Sequence, residues 1–368
     1  MTHMGPPDEH TRSLEGFPPQ QDSRWYDLAR FPIGGKGYAE TCHAYDRLPT
    51  SVSDVPSEAV QRQSRHSTGL YIQFSTNSSS IEARTMLRVP PPPETQYIKY
   101  LDLYAWDEGN AQWRWAGSSV HGYVPSGQTP LVRGLPPEHR IYRLYFPLTY
   151  EVERIEIGID RDADLAPVPV APVRSSIAIY GTSVVKASHS SRPGMTWPAI
   201  LGRRMNRHVF NLGFSGAARM EPELATVLAG MQPAVWIIDP LPNMSIDLVR
   251  SNAEPFLRVL LNAQPDVPIV LAEDRTHAHA WLLPDYFQRQ RARRECFRAV
   301  FDKLRSEGAS NLHYLEMPKF TSEQSEITVD GSHPSDLGNQ YFAEFFLANL
   351  INLLPDYFPN IANPTPES

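Results

Sequence analysis

The sequence predicts an α/β domain, built as a three-layer doubly wound parallel sheet, that follows an all-β sandwich of the jelly-roll type. In the second half, five short apolar runs alternate with stretches whose apolar residues recur at helical spacing. This alternation is typical of a parallel sheet covered by helices on both faces. In the first half, short β-type runs, several with period two, are separated by Gly, Pro, Asn and Ser clusters. That pattern favours an antiparallel sandwich.

The chain is long enough for two domains, since its 368 residues exceed the roughly 100–200 of a typical domain. Alternating prolines over residues 163–172 favour an extended connection between them. We therefore expect, in chain order, a disordered tail over residues 1–24, the sandwich over 25–165, a proline-rich linker over 166–174, the α/β domain over 175–355 and a second tail over 356–368.

Six strands are predicted in the sandwich, at residues 70–75, 81–87, 98–105, 112–116, 141–146 and 152–159. The four prolines at 90–93 cannot donate backbone hydrogen bonds, so we expect them in an exposed loop or at a sheet edge. Trp106, Trp113 and Trp115 cluster with Tyr104 in the sequence. These aromatic residues fit either the sandwich core or a surface on which sugars stack.

Five strands are predicted in the α/β domain, at residues 177–180, 209–212, 234–238, 269–272 and 312–315. Each is an apolar run too short for a helix, as expected of parallel strands buried on both faces. The spacing of apolar residues also predicts helices near 197–205, 248–261, 297–304 and 335–350.

Composition excludes several classes of function. The net charge of −7 and the pI near 6.0 give no electrostatic reason to bind nucleic acid or an anionic membrane. No apolar run approaches the roughly 18 residues of a membrane span. The first residues lack the apolar core of a secretory signal, so a cytoplasmic location is expected. Cys42 and Cys296 lie in different predicted domains without metal-site spacing, so two free thiols are expected.

Three residues are candidates for nucleophilic catalysis. Ser183 follows the strand predicted at 177–180, and open α/β sheets bind their ligands at the carboxyl ends of the strands. His333 could accept the proton of Ser183, and Asp330, three residues earlier, could orient the imidazole. Acyl chemistry also needs hydrogen-bond donors for a developing oxyanion. Gly216 and Asn243 follow the next two strands and could supply a backbone N–H and a side-chain amide, beside the N–H of Ser183.

Ser183, Gly216, Asn243 and His333, in this order, resemble the four marker residues of the SGNH (GDSL-type) hydrolases. Within this family, the sequence resembles a bacterial branch in which a β-sandwich domain precedes the hydrolase domain. It covers roughly residues 30–350 and rests on the segments Leu101-Asp102-Leu103-Tyr104, Tyr180-Gly181-Thr182-Ser183, Ser191-Arg192-Pro193-Gly194-Met195, 211–216 and 329–334. The sequence departs from that branch's pattern at Tyr100 and at residues 186–189, and from the broader family at Thr182. The resemblance implies a flavodoxin-like SGNH fold and esterase activity.

Five further residues are candidates for binding the substrate. Lys186, His189 and Arg192 follow the nucleophile in the arrangement of the branch, and Arg275 follows the fourth predicted strand. Arg275 could bind a carboxylate or phosphate, or pair with Glu273 or Asp274. Arg65, on the sandwich domain, could close the cleft from above.

The sequence predicts a serine esterase for a small acyl or acetyl ester of a carbohydrate or secondary metabolite. The alternative is an SGNH-fold protein without hydrolysis, acting as a binding partner or catalysing an intramolecular transfer or cyclisation in a biosynthetic pathway. No cofactor is expected, because the glycines at 34–37 lack the strand and helix of a phosphate-binding loop. No metal is expected, since His277 and His279 lack further ligands nearby in sequence. A protein partner or homo-oligomer through the sandwich domain is left open.

Overall fold

The computed structural model of the protein describes residues 22–89, 101–119, 128–170, 175–318 and 326–358. Several sequence-based expectations lie outside the described residues: the four prolines at 90–93, Tyr100, residues 1–21 and 359–368 of the two tails, and residues 171–174 of the linker.

The first part of the chain forms two antiparallel sheets that enclose one apolar core. The first sheet comprises β1 (Ser23–Asp27), β4 (Ser80–Leu87), β7 (Gln128–Arg133) and β9 (Val152–Asp160). The second comprises β2 (Ile33–Gly34), β3 (Tyr71–Thr76), β5 (Asp102–Asp107), β6 (Gln112–Ser118), β8 (Arg140–Tyr145) and β10 (Leu165–Pro167). The first sheet has the strand order β1-β9-β4-β7, and the second has the order β10-β3-β8-β5-β6, with β2 beside β3. The predicted sandwich is therefore confirmed.

Four strands of this part, β1, β2, β7 and β10, were not predicted, and neither was a helix, α1 (Glu58–Ser64). β1 includes Ser23 and Arg24, which were expected in the tail, and β10 includes two residues expected in the linker. These short strands form because β9 and β3 supply hydrogen-bonding partners far away in the sequence. Helix α1 begins where the side chain of Ser57 accepts a hydrogen bond from the N–H of Val60.

The second part contains the predicted parallel sheet. Its strands are β11 (Ile177–Gly181), β12 (Val209–Gly213), β13 (Val235–Asp239), β14 (Ile269–Ala272) and β15 (Leu312–Leu315). They lie in the order β12-β11-β13-β14-β15. Every neighbouring pair is parallel, and all five predicted strands are present.

Helices cover both faces of this sheet. Alternate residues of β11 point to opposite sides, so Ala178 and Tyr180 join one buried cluster while Ile177 and Ile179 join the other. The first cluster contains residues of α4 (Pro222–Leu228), α6 (Glu254–Ala263) and α7 (Pro284–Ser306). The second contains residues of α2 (Ser183–Lys186), α3 (Trp197–Arg204) and α8 (Asp336–Leu353). A short helix, α5 (Ile246–Leu248), leads through a π-helical turn into α6.

None of the helices in the described residues is both long enough and apolar enough to span a bilayer. Cys42 and Cys296 are both free thiols, as the sequence predicted.

Candidate active site

The candidate site lies where the chain changes direction within the parallel sheet. Strand β11 lies between β12 and β13, so the chain adds its next two strands on opposite sides of the first. The loops after these strands diverge at their carboxyl ends and leave a crevice, which is the usual ligand site of such sheets. Ser183, Gly216 and Asn243 follow β11, β12 and β13 respectively.

Ser183 is the first residue of α2, directly after the strand. The side chain of Thr182 caps the helix by accepting a hydrogen bond from the N–H of Val184, at 3.3 Å. Glycines allow this tight connection to pack. A Cβ atom on Gly213 would lie 2.3 Å from the backbone nitrogen of Lys186, and one on Gly181 would lie 2.6 Å from the carbonyl oxygen of Asp239.

Ser183, His333 and Asp330 form a chain of hydrogen bonds. The Oγ of Ser183 lies 2.7 Å from Nε2 of His333, and Nδ1 of the same ring lies 2.7 Å from Oδ2 of Asp330. The other oxygen of Asp330 accepts hydrogen bonds from the backbone N–H groups of Ser332 and His333. Partial burial raises the pKa of the Asp330 carboxyl, but the hydrogen bonds from His333 and Ser332 outweigh it and hold the pKa well below its usual range. Asp330 is therefore a carboxylate whose geometry orients the imidazole.

Gly216 and Asn243 lie in the loops on either side of the nucleophile strand. Gly216 has a φ of +69°, a conformation that favours glycine, and no atom lies within 4 Å of the place a Cβ would occupy. The Oδ1 atom of Asn243 accepts a hydrogen bond of 3.4 Å from the N–H of Ala218. This contact links the two loops and leaves the amide nitrogen of Asn243 as the group that can donate to a ligand.

His189 lies beside the imidazole of His333, and the two ring centroids are 4.4 Å apart. Lys186, by contrast, is buried and only 3% exposed, and its Nζ lies 3.0 Å from Nδ1 of His66. Its ammonium group points into the protein toward the first domain. Lys186 was expected to bind the substrate, but in the structure its ammonium group is already hydrogen-bonded inside the protein.

Two expected cleft arginines are instead held by carboxylates. Arg275 is 2% exposed, and its Nη2 lies 2.6 Å from Oδ2 of Asp239. Burial raises the pKa of Asp239 to about 6, although Arg275 lowers it. Arg192 donates to Asp102 at 2.7 Å and to the hydroxyl of Tyr104 at 2.6 Å. Arg275 thus fixes the ends of β13 and β14, while Arg192 joins the two domains, because in each case the guanidinium is already bound.

Arg65 is exposed at the carboxyl end of α1, next to His66. Two residues that the sequence did not suggest lie nearby: Gln63, on the same helix, contacts the loop of Gly216, and Arg47 contacts β12, from which that loop departs. No sequence signal marked them, since Gln63 and Arg47 are 152 and 164 positions away from the backbone groups they contact.

Two groups of side chains in the described residues lie close enough together to hold a metal ion: His189 with Asp330 and His333, and Cys42 with His43 and Asp46. The first shares two members with the hydrogen-bonded chain at Ser183. In the second, Asp46 already forms an ion pair with Arg88 at 2.5 Å. Neither arrangement offers three uncommitted ligands.

Residues 174–351 match the GDSL-like lipase/acylhydrolase family, and residues 23–165 match the N-terminus of SGNH-hydrolase-type esterases. A protein of Bacteroides ovatus assigned as a GDSL-like lipase is 28% identical, with a TM-score of 0.83, covering 91% of this chain and 98% of its own. No curated protein sequence matches this chain.

Two more distant structures share the fold. The salicylyl-acyltransferase SsfX3 from a tetracycline biosynthetic pathway is 18% identical, with a TM-score of 0.75, and the match covers 91% of this chain and 99% of that one. A family two carbohydrate esterase from Cellvibrio japonicus is 12% identical, with a TM-score of 0.57 and the same coverage.

Proposed function

Because this chain belongs to the GDSL-like lipase/acylhydrolase family, we propose that it is a serine esterase that cleaves a small acyl ester through Ser183, His333 and Asp330. The observation that carries the proposal is the continuous hydrogen bonding from Ser183 through His333 to Asp330, with both contacts at 2.7 Å. A serine after a strand needs such a base to become a nucleophile.

In the first half-reaction, the Oγ of Ser183 attacks the ester carbonyl carbon as Nε2 of His333 takes the hydroxyl proton. Asp330 accepts the Nδ1–H of His333 and stabilises the imidazolium that forms. The N–H groups of Ser183 and Gly216 and the amide of Asn243 would donate to the oxyanion. As the tetrahedral intermediate collapses, the alcohol leaves with the proton from His333, and an acyl-serine remains.

In the second half-reaction, His333 takes a proton from water, which attacks the acyl-serine. His333 then returns that proton to the Oγ of Ser183 as the intermediate collapses, which releases the carboxylic acid and restores the free serine. An alcohol in place of water would turn hydrolysis into acyl transfer by the same steps. The fold shared with a salicylyl-acyltransferase supports keeping transfer as the second candidate. Adding alcohol acceptors to the assay and analysing the products separates the two reactions.

Covalent labelling with a fluorophosphonate tests the proposal. The wild type should be labelled and should hydrolyse p-nitrophenyl acetate, whereas Ser183→Ala should lose both, and Asp330→Asn should lower kcat by roughly 100-fold or more. Ser188→Ala is the matched control, because Ser188 follows the same helix but lies outside the hydrogen-bonded chain. A folded wild type that is not labelled, or a Ser183→Ala variant that still turns over, would overturn the assignment.

A further inference from the structure

We propose that Gln63, on the first domain, is a positioning residue for the oxyanion-binding loop of the second domain. The inference rests on the proposed function, in which the N–H of Gly216 stabilises the oxyanion. It gives the first domain a positioning role in the reaction, since one of its side chains holds the backbone next to that N–H.

Gln63 binds both polar backbone atoms of Ser215. Its Nε2 donates to the carbonyl oxygen of Ser215 at 2.8 Å, and its Oε1 accepts the N–H of Ser215, also at 2.8 Å. The side chain is 6% exposed, so water competes little for either hydrogen bond. This two-point contact fixes the position and the rotation of the peptide units on both sides of Ser215.

The loop needs such a contact because Gly216 follows immediately. Glycine loses more conformational freedom on folding than any other residue, and here it holds a φ of +69°. An oxyanion hole works only if its donors are already in place before the charge develops. Besides the contact from Gln63, the loop is held by the N–H of Phe214 on the carbonyl of Gly181 and by a turn from Ala217 to Phe214.

Arg47 fixes α1 against the strand from which this loop departs. Its Nη2 donates to the backbone carbonyl of Gln63 at 2.6 Å, and its Nη1 donates to the carbonyls of Asn211 and Gly213 at 2.5 and 3.3 Å. The guanidinium lies over the ring of Phe214, with 4.9 Å between its carbon and the ring centroid. The helix carrying Gln63 is therefore fixed to β12 on one side and to the loop on the other.

The experiment compares two variants of Gln63 with a control on the same helix. Gln63→Leu removes both hydrogen bonds, and Gln63→Glu keeps the acceptor but cannot donate to the Ser215 carbonyl. Gln61→Leu is the control, because the Gln61 amide instead donates to the carbonyls of Ser53 and Val55. The measurements are kcat, KM and the pH profile with p-nitrophenyl acetate, and hydrogen exchange at the N–H groups of Ser215 and Gly216.

We expect Gln63→Leu to lower kcat by about 10- to 100-fold, approaching the loss of a whole oxyanion donor. KM should stay within about twofold of the wild-type value, and the pH profile should shift by no more than a few tenths of a pH unit. The reason is that the Ser183–His333–Asp330 contacts do not involve Gln63. Exchange at Gly216 should become at least 10-fold faster. Gln63→Glu should change kcat and hydrogen exchange in the same direction but by smaller factors. If Gln63→Leu does not fold, Gln63→Glu alone tests the inference.

The inference is overturned if the Gln63 variants match Gln61→Leu in kcat while the wild type is active. It is also overturned if kcat falls only in proportion to a loss of folded protein. If instead wild type and Ser183→Ala are equally inactive, the proposed function fails, and hydrogen exchange alone then decides whether Gln63 holds the loop. Unchanged exchange at Ser215 and Gly216 overturns the inference in that case, and faster exchange supports it.

Discussion

At the scale of single residues, the environment of Lys186 disfavours its charged form. Burial, and then the nearby charge of Arg47, lowers the pKa of Lys186 to about 7. Burial, followed by the charges of Lys186, Arg47 and Arg62, lowers the pKa of His66 to about 2. His66 is thus neutral at ordinary pH, and its Nδ1 can accept a hydrogen bond from Lys186. The folded protein tolerates this pair when it is neutral or carries one positive charge. A second proton on the pair would destabilise the folded protein.

Because of this pair, we expect the free energy of unfolding to rise with pH. The unfolded chain binds more protons than the folded one wherever the folded pKa is depressed, so the free energy of unfolding increases with pH in those windows. For Lys186 the window runs from about pH 7 to its unperturbed value of 10.5. Urea unfolding followed by tryptophan fluorescence should show a gain of roughly 1–2 kcal/mol between pH 7 and 9 that Lys186→Met removes.

The control is Lys303→Met, since Lys303 is about half exposed and paired with Glu254 on the surface. This variant should keep the wild-type slope. A Lys186→Met variant whose free energy of unfolding still climbs by the same amount would show that the ammonium is not the group responsible.

At the scale of elements, the nucleophile is positioned by the close approach of α2 to β12. Gly213 lies at the end of β12, and a Cβ there would meet the backbone nitrogen and the Cα of Lys186 at 2.3 and 2.7 Å. Neither atom belongs to a flexible side chain. Any larger residue at position 213 must therefore displace the short helix that begins with Ser183.

Gly213→Ala should lower both stability and activity. Overpacking of this kind typically costs about 1–3 kcal/mol, and a shift of Ser183 should reduce kcat for p-nitrophenyl acetate by roughly 10-fold or more. Gly109→Ala is the matched control, because a Cβ at Gly109 would make only an ordinary contact of 3.5 Å with a side-chain oxygen of Asp107. Equal kcat values for the two variants would contradict this account of how α2 is positioned.

At the scale of the whole molecule, the two domains are joined through a buried carboxylate. Asp102, at the start of β5, is fully buried and accepts hydrogen bonds from Arg192 at 2.7 Å, from the N–H of Gly194 at 2.8 Å and from the indole of Trp115 at 3.1 Å. Burial raises the pKa of Asp102, and the contacts with Arg192 and Gly194 oppose that rise. Two of its three partners belong to the segment that follows the nucleophile helix.

Removing this carboxylate should weaken the joint between the domains. Asp102→Ala leaves a largely buried guanidinium and a buried N–H without their acceptor, so we expect a loss of about 2–4 kcal/mol in the free energy of unfolding. Calorimetry should show a lower Tm, with the transition split or broadened. Asp107→Ala, at the other end of the same strand, removes a carboxylate bound to the exposed Arg114 and should change Tm by less than about 2 °C. Equal effects of the two variants would argue against a role of Asp102 in the joint.

The sequence by itself determined the architecture and the order of the residues at the candidate site. The parallel strands could be predicted because burial on both faces demands short runs of apolar residues, which are a local property. The same holds for Ser183, Gly216 and Asn243, since each lies in the loop or short helical turn that follows a strand. Asp330 and His333 are three residues apart, and the structure joins them by a hydrogen bond within one turn of chain.

Only the tertiary structure decided what the cationic side chains bind. The resemblance to the family branch suggested Lys186 and Arg192 for the cleft, and the place after the fourth predicted strand suggested Arg275. Their partners are instead His66, Asp102 and Asp239, none of them close in sequence. The contact of Gln63 with Ser215 likewise spans 152 positions. Periodicity tells which face of a strand or helix is buried, but the partner of a buried polar group depends on which distant surfaces pack together. Each domain has its own pattern of apolar residues, and no local stretch of the sequence specifies how the two domains pack against each other.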